Sequence, residues 1–124
     1  GMLYRPDRIS RPRHWALPIR PRDIWSDDVK DPDYNLMGTA PSLFRHEKLF
    51  RPDHLYDLII IINWNWPYTV KGRGSAIFIH RWRKNGYPTE GCIALSKENL
   101  LKVAKFIDFG SQVIVPKNLH AHQK

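Results

Sequence analysis

The most apolar stretch of the chain is residues 58–62, one leucine and four isoleucines bracketed by Asp57 and Asn63. Such an uninterrupted, β-branched run is too short for a helix and lacks the alternation of a half-exposed strand. It therefore predicts a strand buried on both faces. Pro67, Gly72 and Gly74 break the next stretch into a turn, after which residues 75–80 read as a second strand with His80 at its end. Residues 81–88 are polar and carry Gly86 and Pro88, a loop that returns the chain to a third apolar segment, residues 91–95. From Lys97 onward Leu100, Leu101, Val103, Ala104, Phe106 and Ile107 recur at helical spacing, with Ser96 as N-cap and Gly110 as C-terminal stop, so a helix is predicted over 97–107. Residues 112–115 are β-prone and predict a last strand before Pro116.

The N-terminal part has a different texture. Seven of the ten prolines fall in the first 52 residues, and proline restricts both its own backbone and that of the residue before it, which argues against a long helix or a central strand. Tyr4, Trp15, Ile24, Trp25, Tyr34, Leu36 and Phe44 nevertheless supply many apolar anchors. The segment reads as an extended wrap docked on a core, with one helical turn at residues 45–50 between a Ser42 cap and Pro52. The predicted organisation is one domain of 124 residues: a wrap over 1–52, a core over 53–116 and a polar tail over 117–124. Its fold class is β-rich α+β, a mixed sheet or small sandwich with one main helix packed on it.

Composition narrows the function classes. A net charge of +8 with 42% hydrophobic and 12% aromatic residues is too apolar for a disordered basic tail. The longest aliphatic run is far short of the roughly 18 residues that span a bilayer, so no membrane span is expected. Arg5, Pro6, Asp7 and Arg8 follow Met2 without an apolar stretch, and this start does not read as a secretory signal. Aromatics interleaved with arginine near residues 64–82 suggest a nucleic-acid-binding module, but no nucleic-acid motif with ordered spacing is present, and such a partner is not expected.

A single cysteine, Cys92, cannot close an internal disulfide or build a four-ligand zinc site. It is either a passive small hydrophobe or a reactive thiol, and a reactive thiol needs a base. Of the six histidines, His14, His46 and His54 lie in or beside the proline-rich part and His120 and His122 in the tail, where two imidazoles alone do not define a zinc site. His80 differs, because it ends an apolar strand and one loop separates it from Cys92.

The string Gly74-Ser75-Ala76-Ile77-Phe78-Ile79-His80, then a loop, then Thr89-Glu90-Gly91-Cys92-Ile93-Ala94-Leu95, resembles the catalytic signature of the L,D-transpeptidases, the YkuD-type cysteine enzymes of bacterial cell-wall metabolism. The resemblance spans about residues 56–115 and is similar to a short branch of the family that lacks its usual Gly-rich, Thr-Pro-containing N-terminal β-segment. Glu90 and Ala94 stand where many members carry His and a polar residue. What the resemblance implies is acyl transfer on peptidoglycan stem peptides, with Cys92 as nucleophile, His80 as base and acid, and backbone N–H groups of Gly91 and Cys92 as oxyanion donors. It implies neither metal nor cofactor, and a place in the periplasm or cell envelope.

Arg73, Arg81, Arg83 and Lys84 cluster in sequence around His80. With such a site, Arg73, Arg81 and Thr89 are the expected substrate-binding residues, Arg73 foremost because Gly72 and Gly74 free the backbone beside it. A solvated basic loop is the plain alternative, with Glu90 as a structural partner for Arg81 or Arg83. Trp64, Trp66 and Tyr68 are expected to line a groove, to pack in the core or to cover an edge. A non-catalytic wall-binding member of the same fold is the other function class left open.

Overall fold

A computed structural model describes residues 1–83 and 92–114. The isoleucine run forms β6 (Leu58–Ile61), flanked on one side by β1 (Met2–Tyr4) and on the other by β7 (Phe78–Arg81). Both neighbours run antiparallel to it, with Leu3 opposite Ile59 and Ile79 opposite Ile60. Parallel edges complete a mixed five-stranded sheet: β2 (Leu17–Pro18) beside β1 and β8 (Ile93–Leu95) beside β7. A second, antiparallel sheet places β3 (Asp23–Ser26) between β4 (Met37–Thr39) and β5 (His46–Lys48). The helix α1 (Lys97–Phe106) follows β8. The architecture is the expected β-rich α+β class.

Both faces of β6 are covered, which explains its lack of polar alternation. Leu58 and Ile60 meet Met2, Tyr4, Ile79 and the helix residues Leu100 and Ala104. Ile59 turns the other way, into a core with Leu3, Phe78, Trp25 and Leu49, the last two supplied by the smaller sheet and the residue just after it. Each such side chain contributes roughly 1.5–3 kcal/mol by leaving water. Trp25 and Phe78 close this second core edge to face, their ring centroids 4.9 Å apart.

Several expectations require correction. The first 52 residues do contain a central strand: β1 is paired on both sides, because Pro6 falls just after it and leaves its ladder groups intact. Residues 46–48 form β5 instead of a helical turn, since pairing with β3 satisfies their backbone; Ser42 Oγ accepts from the Phe44 N–H in a local turn. The second strand starts at Phe78, after Ala76 takes a left-handed φ of 57°, and extends through His80 to Arg81. Ser96 is the N-cap, its Oγ accepting from Asn99 N–H at 3.1 Å. Gly110 does not close the helix, which ends at Phe106 with Ile107 extended. Arg13 closes it instead by donating to the carbonyls of Ala104, Lys105 and Ile107, an end that needs no glycine. Residues 112–114 form no strand, and Val115 lies outside the described residues.

A buried amide joins the small sheet to the start of β7. Asn35, in the left-handed region at φ 60°, accepts from the Trp25 indole N–H at 2.9 Å and from the Ala76 backbone N–H at 3.0 Å, while its own amide donates to the Asn65 carbonyl. Replacing it with an apolar residue strands two buried donors and a carbonyl. Asn35→Ala is expected to cost about 3 kcal/mol in urea unfolding, against about 1 kcal/mol for the cap variant Ser96→Ala. Equal losses for the two variants would contradict this account.

Candidate active site

Cys92 immediately precedes β8, and β8 runs parallel to β7 with Ile93 opposite Ile79 and Ala94 opposite His80. That register sets Cys92 beside Phe78. Alternation puts Phe78, His80 and Cys92 on the same sheet face, the one packed on the smaller sheet, where Cys92 lies against the Trp25 and Phe78 core. One strand spacing across and two residues along corresponds to about 8 Å between the His80 and Cys92 Cα positions, within reach of an imidazole and a thiol.

The surroundings set the protonation states. His80 is buried and its Nδ1 lies 2.7 Å from the Arg81 carbonyl oxygen. A carbonyl only accepts, so Nδ1 carries the proton and Nε2 is the nitrogen with the lone pair in the neutral ring. Burial is the main force pushing the His80 pKa below its ordinary value, with the positive charges of Arg51 and Arg83 acting in the same direction and the Arg81 carbonyl opposing. Burial pushes the Cys92 thiol up, a hydrogen bond from the Phe78 backbone pulls against it, and the Glu47 carboxylate adds to the rise. Sγ donates to the Ala76 carbonyl at 3.1 Å. Both shifts favour a neutral thiol and a neutral imidazole at rest.

Tyr56 walls the site. Its ring is 5.6 Å from the His80 ring and 5.8 Å from that of Phe78, both edge to face, and its hydroxyl donates to Glu47 Oε1 at 3.2 Å. Burial and Glu47 hold the phenol pKa far above its usual range. Beside it the Arg51 guanidinium lies 5.4 Å from the ring centroid and is paired with Asp53 at 2.6 Å.

The residues expected from the sequence are distributed unevenly. Arg81 contributes its carbonyl to the His80 imidazole, but its side chain lines a small pocket with Ile9, Leu58, Lys97 and Leu100 on the helix side of the sheet, the face opposite Cys92. Arg73 is exposed in the turn before β7, where its carbonyl accepts the Trp64 indole N–H. Thr89 and Gly91 lie outside the described residues. Arg83, part of the expected cation cluster, acts on His80. Glu47, Arg51, Asp53 and Tyr56 were not foreseen; they come from β5 and the segment after it, distant in sequence from the motif. Among the described residues no cluster of three or more His, Cys, Asp or Glu side chains forms a metal-binding group, and no helix is long and apolar enough to cross a membrane.

The lowered His80 pKa makes stability depend on pH with a definite sign. The unfolded chain binds this proton more readily than the folded one, so the contribution of the neutral imidazole is complete above the unfolded value of 6.5 and declines as pH falls below it toward the folded value. The urea midpoint of the wild type is expected to fall across that window more steeply than that of His80→Gln. Parallel curves would show that the imidazole is not held neutral by the fold.

Comparison with curated proteins and with solved structures returns no match. The family model for the L,D-transpeptidase catalytic domain, YkuD, matches residues 2–115, so the match takes in β1 to β5 as well as the half that carries the motif. With a match over nearly its whole length, the chain belongs to the YkuD family of L,D-transpeptidase catalytic domains.

Proposed function

We propose that this domain is a cysteine acyltransferase acting on peptidoglycan stem peptides in the cell envelope. The observation that carries this reading is that the one cysteine, just before β8, and His80, the one buried strand histidine among the described residues, share one face where β7 and β8 run parallel, in a chain of this family. Cys92 Sγ attacks the amide carbonyl between the L-centre of a diamino acid and a terminal D-residue. As the S–C bond forms, the thiol proton passes to His80 Nε2, and the carbonyl electrons move onto oxygen. The backbone N–H groups of Cys92 and Gly91 are the proposed donors to that oxyanion. Collapse breaks the C–N bond, and His80 returns the proton to the departing amine. An amine then attacks the thioacyl carbon to give a crosslink, or water attacks to give L,D-carboxypeptidase hydrolysis, and Cys92 leaves as the thiol.

The neutral resting pair supports a base that acts during attack over a preformed thiolate. Arg83 bears on the His80 side and is better placed than Arg73 or the Arg81 side chain to meet a stem-peptide carboxylate, whereas Arg51 on that side is held by Asp53. The basic composition itself supports a nucleic-acid reading weakly, because Arg5, Arg8, Arg13, Arg45 and Arg51 are each paired with an aspartate of the same chain.

Intact-mass spectrometry after incubation with a carbapenem tests the assignment. The wild type is expected to gain one covalent adduct and Cys92→Ala none, with His80→Gln acylated about a hundredfold more slowly. A folded wild type without adduct would leave a non-catalytic wall-binding role, and an adduct that persists in Cys92→Ala would exclude Cys92 as the nucleophile.

A further inference from the structure

The Nδ1 hydrogen bond to the Arg81 carbonyl fixes one point of the His80 ring and leaves the ring free to tilt about that point. A base that must present Nε2 in one direction needs a second contact, and Tyr56 makes it, edge to face at 71° between planes. Tyr56 is itself located from several sides. Phe78 meets its ring at 80°, the Arg51 guanidinium lies over the ring, and Glu47 on β5 receives its hydroxyl. The residue is 5% exposed, and a phenylalanine would fill the same space without burying a hydroxyl. The hydroxyl is instead committed to Glu47, a bond that ties the ring to β5.

We propose that Tyr56, anchored by Glu47, is a positioning residue that fixes the plane of the His80 imidazole and so the direction of its Nε2 lone pair. This rests on the reading of His80 as the base. Through Glu47 the smaller sheet takes part in the site, since β5 hydrogen-bonds to β3 and carries the acceptor that holds Tyr56. The charged groups that bear on the imidazole are Arg51, Arg83 and Asp53, and none of them replaces the edge contact.

The test compares wild type, Tyr56→Phe, Glu47→Ala and Glu47→Gln by NMR of the His80 ring and by the rate of carbapenem acylation. All four keep the Arg81 carbonyl and are expected to hold the Nδ1–H tautomer above neutral pH. Tyr56→Phe and Glu47→Ala, which both lose the anchor, are expected to shift and broaden the carbon-bound proton signals of the His80 ring as it moves against its aromatic neighbour, and to acylate about tenfold more slowly at saturating reagent, with half-saturation unchanged. Glu47→Gln keeps an acceptor oxygen for the hydroxyl and removes the carboxylate that pushes the Cys92 thiol up, so it is expected to keep the wild-type ring signals and to acylate no more slowly than the wild type. Wild-type ring signals and an unchanged rate in Tyr56→Phe and Glu47→Ala would overturn the proposal, leaving Tyr56 as core packing. If the wild type is not acylated at all, the assignment of Cys92 fails, while the ring signals still decide whether Tyr56 orients the imidazole.

Discussion

The buried amide of Asn35 connects the smaller sheet to the site. It takes hydrogen bonds from Trp25 on β3 and from the Ala76 backbone, two residues before β7, and the Ala76 carbonyl in turn receives the Cys92 thiol. Short, proline-punctuated segments give little regular ladder to align the two sheets, so side-chain bonds do much of it. Ser75 Oγ donates to the Ser26 carbonyl and the Gly74 N–H donates to the Tyr34 hydroxyl, reinforcing the same seam. Left-handed backbone at Asn35, Asn65 and Ala76 marks where the chain bends to make these bonds. The strain is offset by the pairing of groups that would otherwise be buried alone.

That seam controls electrostatics as well as shape. The sheet face against which Cys92 lies is enclosed by Trp25, Tyr56 and Phe78. Desolvation there raises the thiol and lowers the imidazole, and both shifts disfavour a thiolate–imidazolium ion pair. On the proposed acyl transfer, proton transfer within the pair accompanies attack, which makes the direction of the imidazole as important as its basicity.

Much of the core was legible in the sequence because its signal is local. The isoleucine run is buried on two faces and reads so; the helix shows its apolar positions and its Ser96 cap; His80 and Cys92, one loop apart in the sequence, come to one sheet face. The rest depends on partners remote in the chain. Strand β1 is three residues long, too short for a pattern, and exists because β6 pairs with it. The residues of β5, His46, Glu47 and Lys48, have no strand signature, yet pairing with β3 places Glu47 where Tyr56 can reach it. Arg13 caps a helix through Ile107, just past its end and 94 residues further along the chain, a contact no local rule anticipates. Arg81 illustrates the opposite error: nearness to His80 in sequence suggested a shared site, whereas strand alternation sends its side chain to the other face.

The central claim is that Cys92 rests as a thiol beside a neutral His80. Titrating the thiolate by its ultraviolet absorbance, with Cys92→Ser subtracted, tests this most directly. The account predicts no thiolate at neutral pH and a single rise above the ordinary thiol value of 9.0; a thiolate step at or below neutral pH that disappears in His80→Gln would contradict it.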